Sequence, residues 1–104
     1  MSTTTIQGHT VHVDQEGFLT DPTEWDKDIA AALAGQIGVE LTDQHWTVLD
    51  FLREDHGRTG ETPTLRRVST SLQIPVKALF ELFPAKPAKK MAYIAGLPKP
   101  RGCV

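Results

Sequence analysis

Six of the seven prolines stand at positions 63, 75, 84, 87, 98 and 100, so the C-terminal part of the chain cannot be one long helix. Proline lacks a backbone N–H and clashes with the preceding turn, which leaves it at helix starts or beyond helix ends. The spacing predicts three short helices. One begins after Thr62-Pro63 and carries Leu65, Val68 and Leu72. A second starts at Ile74-Pro75, carries Val76, Leu79, Phe80, Leu82 and Phe83, and stops at Pro84. Lys86-Pro87 opens the third, through Met91, Tyr93 and Ile94 to an end near Gly96. The remainder, Leu97-Pro98-Lys99-Pro100-Arg101-Gly102-Cys103-Val104, has little with which to build a core and reads as an extended, mobile arm.

The N-terminal part has a different rhythm. Ile6, Val11, Val13 and Leu19 alternate with polar residues, with turn signals at Gln7-Gly8 and Glu16-Gly17, which predicts a meander of two or three strands. Asp21-Pro22 then turns the chain toward a helix from about Lys27 to Gln36, with Ile29, Leu33 and Ile37 on one stripe and Gly38 after it. Thr42 reads as the N-cap of the longest helix, with His45 where a capping-box glutamate would stand, an apolar face of Trp46, Val48, Leu49, Phe51 and Leu52, and closure at Gly57 and Gly60. The expected fold is α+β: a small N-terminal β-meander on about five helices in one domain, residues 1–95, followed by a mobile arm, residues 96–104. The large aromatics Trp25, Trp46, Phe51, Phe80 and Phe83 are expected in the core.

Charge divides the chain more sharply than its net value of −2 suggests. Residues 1–62 hold 12 of the 13 acids and 3 of the 11 bases; the rest hold one acid and eight bases. A basic C-terminal face points to an anionic partner, an acidic protein surface or a nucleic acid. A single cysteine excludes an internal disulfide and a CxxC zinc site, and His9, His12, His45 and His56 lack metal-ligand spacing, so neither metal nor cofactor is expected. With no apolar leader at Met1 and no stretch of membrane-spanning length, a cytoplasmic protein is the expectation. No serine–histidine–aspartate arrangement or phosphate loop stands out, so the chain is not expected to be a self-sufficient catalyst.

Cys103 is the candidate reactive group. It lies on a segment stiffened by Pro98 and Pro100 and hinged by Gly96 and Gly102, which would reach about 25 Å if extended at about 3.1 Å per residue. Its thiolate is the nucleophile, favoured by Lys99 and Arg101 and opposed by the adjacent C-terminal carboxylate.

The arm AYIAGLPKPRGCV (92–104) resembles that of the DsrC/TusE family of sulfur-relay proteins. DQEGFL (14–19) followed by Trp25, LTDQHWTVLDFLRE (41–54), TPTLRRV (62–68) and LFELFPAKPAKKMAYIAGLPKP (79–100) follow the family pattern in the same order. The resemblance implies that Cys103 carries sulfur as a persulfide. It implies an upstream donor of the TusBCD or DsrEFH kind, a downstream acceptor like a tRNA thiolase or a sulfite reductase, and a monomer that docks transiently. In the dissimilatory branch a second arm cysteine lies eleven positions upstream; here that position is Ala92, which matches the one-cysteine TusE branch that serves thiolation of the tRNA wobble uridine. The stretch LQIPVKAL (72–79) is shorter than the loop of the sulfite-reductase type. Arg66 takes the arginine position of the TPxxR segment and is implied, with Lys99 and Arg101, to orient the arm or bind an anion, while Lys89 and Lys90 belong to the basic face.

A second function is carried by TLRRVSTSLQIPVKALFELF (64–83), which has helix-turn-helix form. DNA readers place several basic or amide residues on the second helix, whereas between Pro75 and Phe83 the one base is Lys77, set against Glu81. A third reading joins the two: a redox-responsive regulator in which the thiol alters DNA or partner binding.

Overall fold

The computed structural model describes residues 2–99, and Pro100, Arg101, Gly102, Cys103 and Val104 lie outside the described residues. Strands β1 (Ser2–Ile6) and β2 (His9–Val13) form an antiparallel hairpin in which Ser2 pairs with Val13 and Ile6 with His9. The two-residue turn has φ of 51° at Gln7 and 78° at Gly8, the doubly positive geometry that matches strand twist. A third strand does not develop. Leu19 makes one isolated bridge to Val13, because Asp14 closes a tight turn by accepting the backbone N–H groups of Glu16 and Phe18 on its side chain.

Among the described residues, five α-helices follow a 3-10 turn at Pro22–Glu24: α1 (Lys27–Gln36), α2 (Asp43–Thr59), α3 (Leu65–Leu72), α4 (Val76–Leu82) and α5 (Pro87–Ile94). Asp26 caps α1 by accepting from the Ile29 amide, and Thr64 caps α3 by accepting from the Arg67 amide. The expected capping box at α2 is present, and His45 completes it. Thr42 N–H donates to His45 Nδ1 at 3.1 Å while Nε2 lies 2.7 Å from the Leu82 carbonyl, so one ring nitrogen accepts and the other donates. His45 therefore joins the start of α2 to the end of α4, and its ring stands edge-on to Phe83. Gly57 does not close α2; the helix runs on to Thr59, and Gly60, at φ 78°, supplies the left-handed cap.

The hairpin packs on α1 through Ile6, Val11, Val13, Leu19, Ile29 and Leu33, and the helices share a second, larger core that includes Leu49, Leu52, Val68, Leu79, Phe83 and Met91. Trp25 and Tyr93 pack against both. Helix α5 contacts α1, α2 and α4 and buries Ala88, Met91, Ala92 and Ile94. Phe80 corrects the aromatic expectation: it is 45% exposed, with Val76 beside it at 40%. On seven-residue α4 the pair Leu79 and Phe83 takes the core face, which turns Val76 and Phe80, four residues apart, to the outside.

Candidate functional site

The segment that leads to Cys103 begins at the end of α5, where every carbonyl of the last turn is accounted for. Gly96 has φ of 71°; its N–H donates to the Tyr93 carbonyl and the Leu97 N–H to the Ala92 carbonyl, the paired bonds of a Schellman cap. Leu97, 1% exposed, supplies the apolar contact that accompanies this motif. The Ile94 carbonyl accepts from Trp25 Nε1 at 2.8 Å, and the Ala95 carbonyl from Arg53 Nη1 at 2.8 Å.

Arg53 does three things at once. Its other terminal nitrogen donates to the Pro22 carbonyl at 2.8 Å, and its guanidinium lies 4.1 Å from the centre of the Trp25 ring. Burial pulls its pKa below the ordinary guanidinium value, yet two carbonyls, an indole face and the negative end of α5 all favour the cation. Trp25 in turn covers Gly96 so closely that any side chain there would overlap the indole. Glycine is needed at 96 for both its φ and this contact. The expected hinge residue is thus seated on the domain together with Leu97.

Beyond Leu97 the hold changes character. The Pro98 carbonyl accepts from Thr62 Oγ1 at 2.8 Å, and Lys99 Nζ pairs with Glu16 at 3.1 Å on the surface. A cleft of about 200 Å³ lies beside Pro98 and Lys99, lined also by His56, Gly60, Thr62 and Thr64. Its loop rests on a buried carboxylate: Asp55, 1% exposed, takes both forks of Arg67 at 2.7 Å and one nitrogen of Arg58 at 2.7 Å. The Arg67 hydrogen bonds and charge hold Asp55 below the usual carboxylate range against the opposing effect of burial.

Among the sequence-derived site residues, Lys99 and Pro98 thus flank the cleft, and Gly96 lies under Trp25. Arg66 is exposed on α3 and makes no hydrogen bond or ion pair with a described residue; its neighbour Arg67 makes the buried pair. Ala92, the position of the second family cysteine, is fully buried on α5. Arg101, Gly102, Pro100 and Cys103 lie outside the described residues. Sequence reasoning missed Arg53 and Asp55. For Asp55 a signal existed: Val48, Leu52 and Asp55 fall at i, i+4 and i+7 of α2, and a charge on the apolar stripe requires a buried partner.

The predicted helix-turn-helix pair exists as α3 and α4, joined through Gln73 at φ 55°, with Val68, Ile74 and Leu79 packed inside. The outer face of α4 presents Val76 and Phe80 with a single base, Lys77, and lacks the several basic and amide groups that read bases, so nothing supports the DNA-binding reading.

Residues 5–104 match a family model described as DsrC like protein. Sulfurtransferase TusE of Salmonella paratyphi A is 34% identical, with 95% of this chain and 97% of that protein covered. TusE of Pectobacterium atrosepticum is 35% identical with the same coverage. Among solved structures, DsrC of Allochromatium vinosum superposes with a TM-score of 0.86 at 36% identity, covering 98% of this chain and 97% of that one. The oxidized DsrC gamma-subunit of dissimilatory sulfite reductase from Archaeoglobus fulgidus gives 0.83 at 35% identity, covering 99% and 100%.

Proposed function

The chain belongs to the DsrC-like protein family, and on that premise we propose that it is a sulfur-relay carrier that holds sulfane sulfur as a persulfide on Cys103. The observation that carries the reading is the extent of the match, which runs through residue 104 and so takes in Cys103 and the glycine–proline segment before it. The Cys103 thiolate attacks the outer sulfur of a donor persulfide. The donor's S–S bond breaks, a new one forms to Cys103, and the donor sulfur leaves as thiolate. Repeating the exchange with an acceptor thiolate returns Cys103 to its starting state, with no net oxidation or reduction.

The chain's other residues assist by position. The Schellman cap, Arg53 and Trp25 fix where the segment leaves the domain, and Lys99, Arg101 and Arg66 supply cations for an anionic persulfide or for the acidic rim of a partner. With Ala92 in place of a second cysteine, the sulfur cannot be trapped in an internal disulfide and passes between proteins. That favours a TusE-type relay toward tRNA thiolation, with a TusBCD-like donor. No described helix is long and apolar enough to cross a membrane.

Intact-mass measurement after incubation with a persulfide donor tests the reading. The wild-type chain is expected to gain about 32 Da, reversed by a reductant and absent in Cys103→Ser. An adduct that survives Cys103→Ser, or no adduct with any donor, would overturn it.

A further inference from the structure

A groove of about 300 Å³ shares no lining residue with the cleft beside Pro98, and its chemistry is two-sided. The floor is apolar: Phe18, Ile37 and Tyr93, with Phe18 edge-on to Tyr93 at a ring separation of 5.6 Å. Lysines form the rim, Lys86 from the N-cap of α5 and Lys89 and Lys90 from its first turn, with Glu16 beside Lys89.

These charges are poorly compensated within the domain. Glu16 is shared between Lys89 at 3.9 Å and Lys99 at 3.1 Å, while Lys86 and Lys90 pair with no described carboxylate. No acidic residue stands in the first turn of α5 and no side chain caps it, although negative charge is the stabilising sign there. Local electrostatics therefore run against the usual preference at a place where the surface also offers an apolar floor. An acidic occupant resolves the mismatch.

We propose that this groove is the docking site for an acidic segment of the relay partner, one apolar side chain entering over Ile37 and Tyr93 while flanking carboxylates meet Lys86 and Lys90. The proposal rests on the sulfur-carrier reading and specifies its partner surface. Protein is favoured over RNA by the floor. Phe18 is 5% exposed and Tyr93 is partly covered, with Phe18 set edge-on against it, and the rim has three lysines, one of them paired with Glu16, which is few for tracking a phosphate backbone. Glu16 acts as a built-in stand-in for the partner's carboxylates. Because it also holds Lys99, a segment that takes over Lys89 leaves Glu16 to Lys99 alone, which couples docking to the surface contact next to the arm.

The test is anisotropy of a labelled dodecapeptide of alternating Asp and Glu with one central Leu, against the same peptide with Asn and Gln, and against a single-stranded RNA of equal length. The acidic peptide is expected to bind the full chain, more weakly as salt rises. Its affinity should fall about five- to tenfold in Lys86→Gln/Lys90→Gln and rise in Glu16→Gln, with amide NMR shifts centred on Phe18, Ile37 and Tyr93. Binding equal to the amide control, affinity unchanged in the double variant, shifts centred elsewhere, or tighter RNA binding lost in the double variant would each overturn it. Persulfide loading of Cys103 by a small-molecule donor needs neither lysine, so a wild-type chain that gains the mass but does not bind the acidic peptide sinks this site alone, and a wild-type chain that gains no mass sinks the carrier reading.

Discussion

The chain from Ala92 to Lys99 is held in two unlike ways within a few residues. Up to Leu97 it is fixed by a helix cap, a buried leucine, and donors from Trp25 and Arg53. From Pro98 it is held by one threonine hydroxyl and an exposed ion pair between Lys99 and Glu16, in which both side chains stay more than a third exposed. Hydrogen bonds to desolvated carbonyls are costly to break, whereas surface ion pairs contribute little. A carrier whose thiol lies farther along the same strand of chain gains from that order: the exit point is constant, and the contacts after it are easily exchanged.

The sharpest way to break this contrast is Gly96→Ala. A left-handed backbone and an overlap with Trp25 combine to an expected loss of about 2–4 kcal/mol in denaturant unfolding, with the near-ultraviolet signal of Trp25 changed. If Gly96→Ala is neutral, the root is not the fixed part.

A smaller effect tests the support beneath the outer contacts. Asp55 is held below its ordinary value of 3.8, so its contribution to stability is present above that value and lost as pH falls through the lower folded value. Asp55→Asn is expected to cost about 1–3 kcal/mol at neutral pH, and its difference from wild type should shrink between about pH 5 and about pH 2. A difference that is constant with pH would mean that Arg67 and Arg58 gain nothing from the carboxylate's charge.

The smallest expected effect completes the comparison. Glu16→Gln should change unfolding free energy by less than about 1 kcal/mol, because it removes a solvent-screened pair, while raising amide exchange at Lys99. A larger loss would place the outer contacts in the same class as the root.

Much of this was legible in the sequence because the signals are local. Prolines 63, 75, 84 and 87 mark helix starts and stops, Thr42 with His45 forms the box its spacing predicts, and the Gln7-Gly8 turn sets the hairpin register. Of the two or three strands expected, two form, because an apolar residue such as Leu19 reads the same in sequence whether it extends a sheet or follows a turn closed by Asp14. Phe80 was assigned to the core because a sequence gives hydrophobicity without the number of faces a short helix can bury. Arg53 was missed because its partners are carbonyls 31 and 42 residues away, which carry no side-chain signature.

The sequence by itself determined the α+β class, the helix boundaries, the single thiol at 103 and the family pattern around it, because proline geometry, capping and periodicity act over a few residues. Tertiary structure decided which parts are fixed. Gly96 could be a hinge or a cap by sequence, and the Trp25 indole lying over it makes it a cap. Three lysines spread over Lys86 to Lys90 could be a solvated face, and the apolar floor from Phe18, Ile37 and Tyr93 makes them the rim of a groove. Both outcomes depend on desolvation by residues distant in sequence, and only the folded chain brings those residues together.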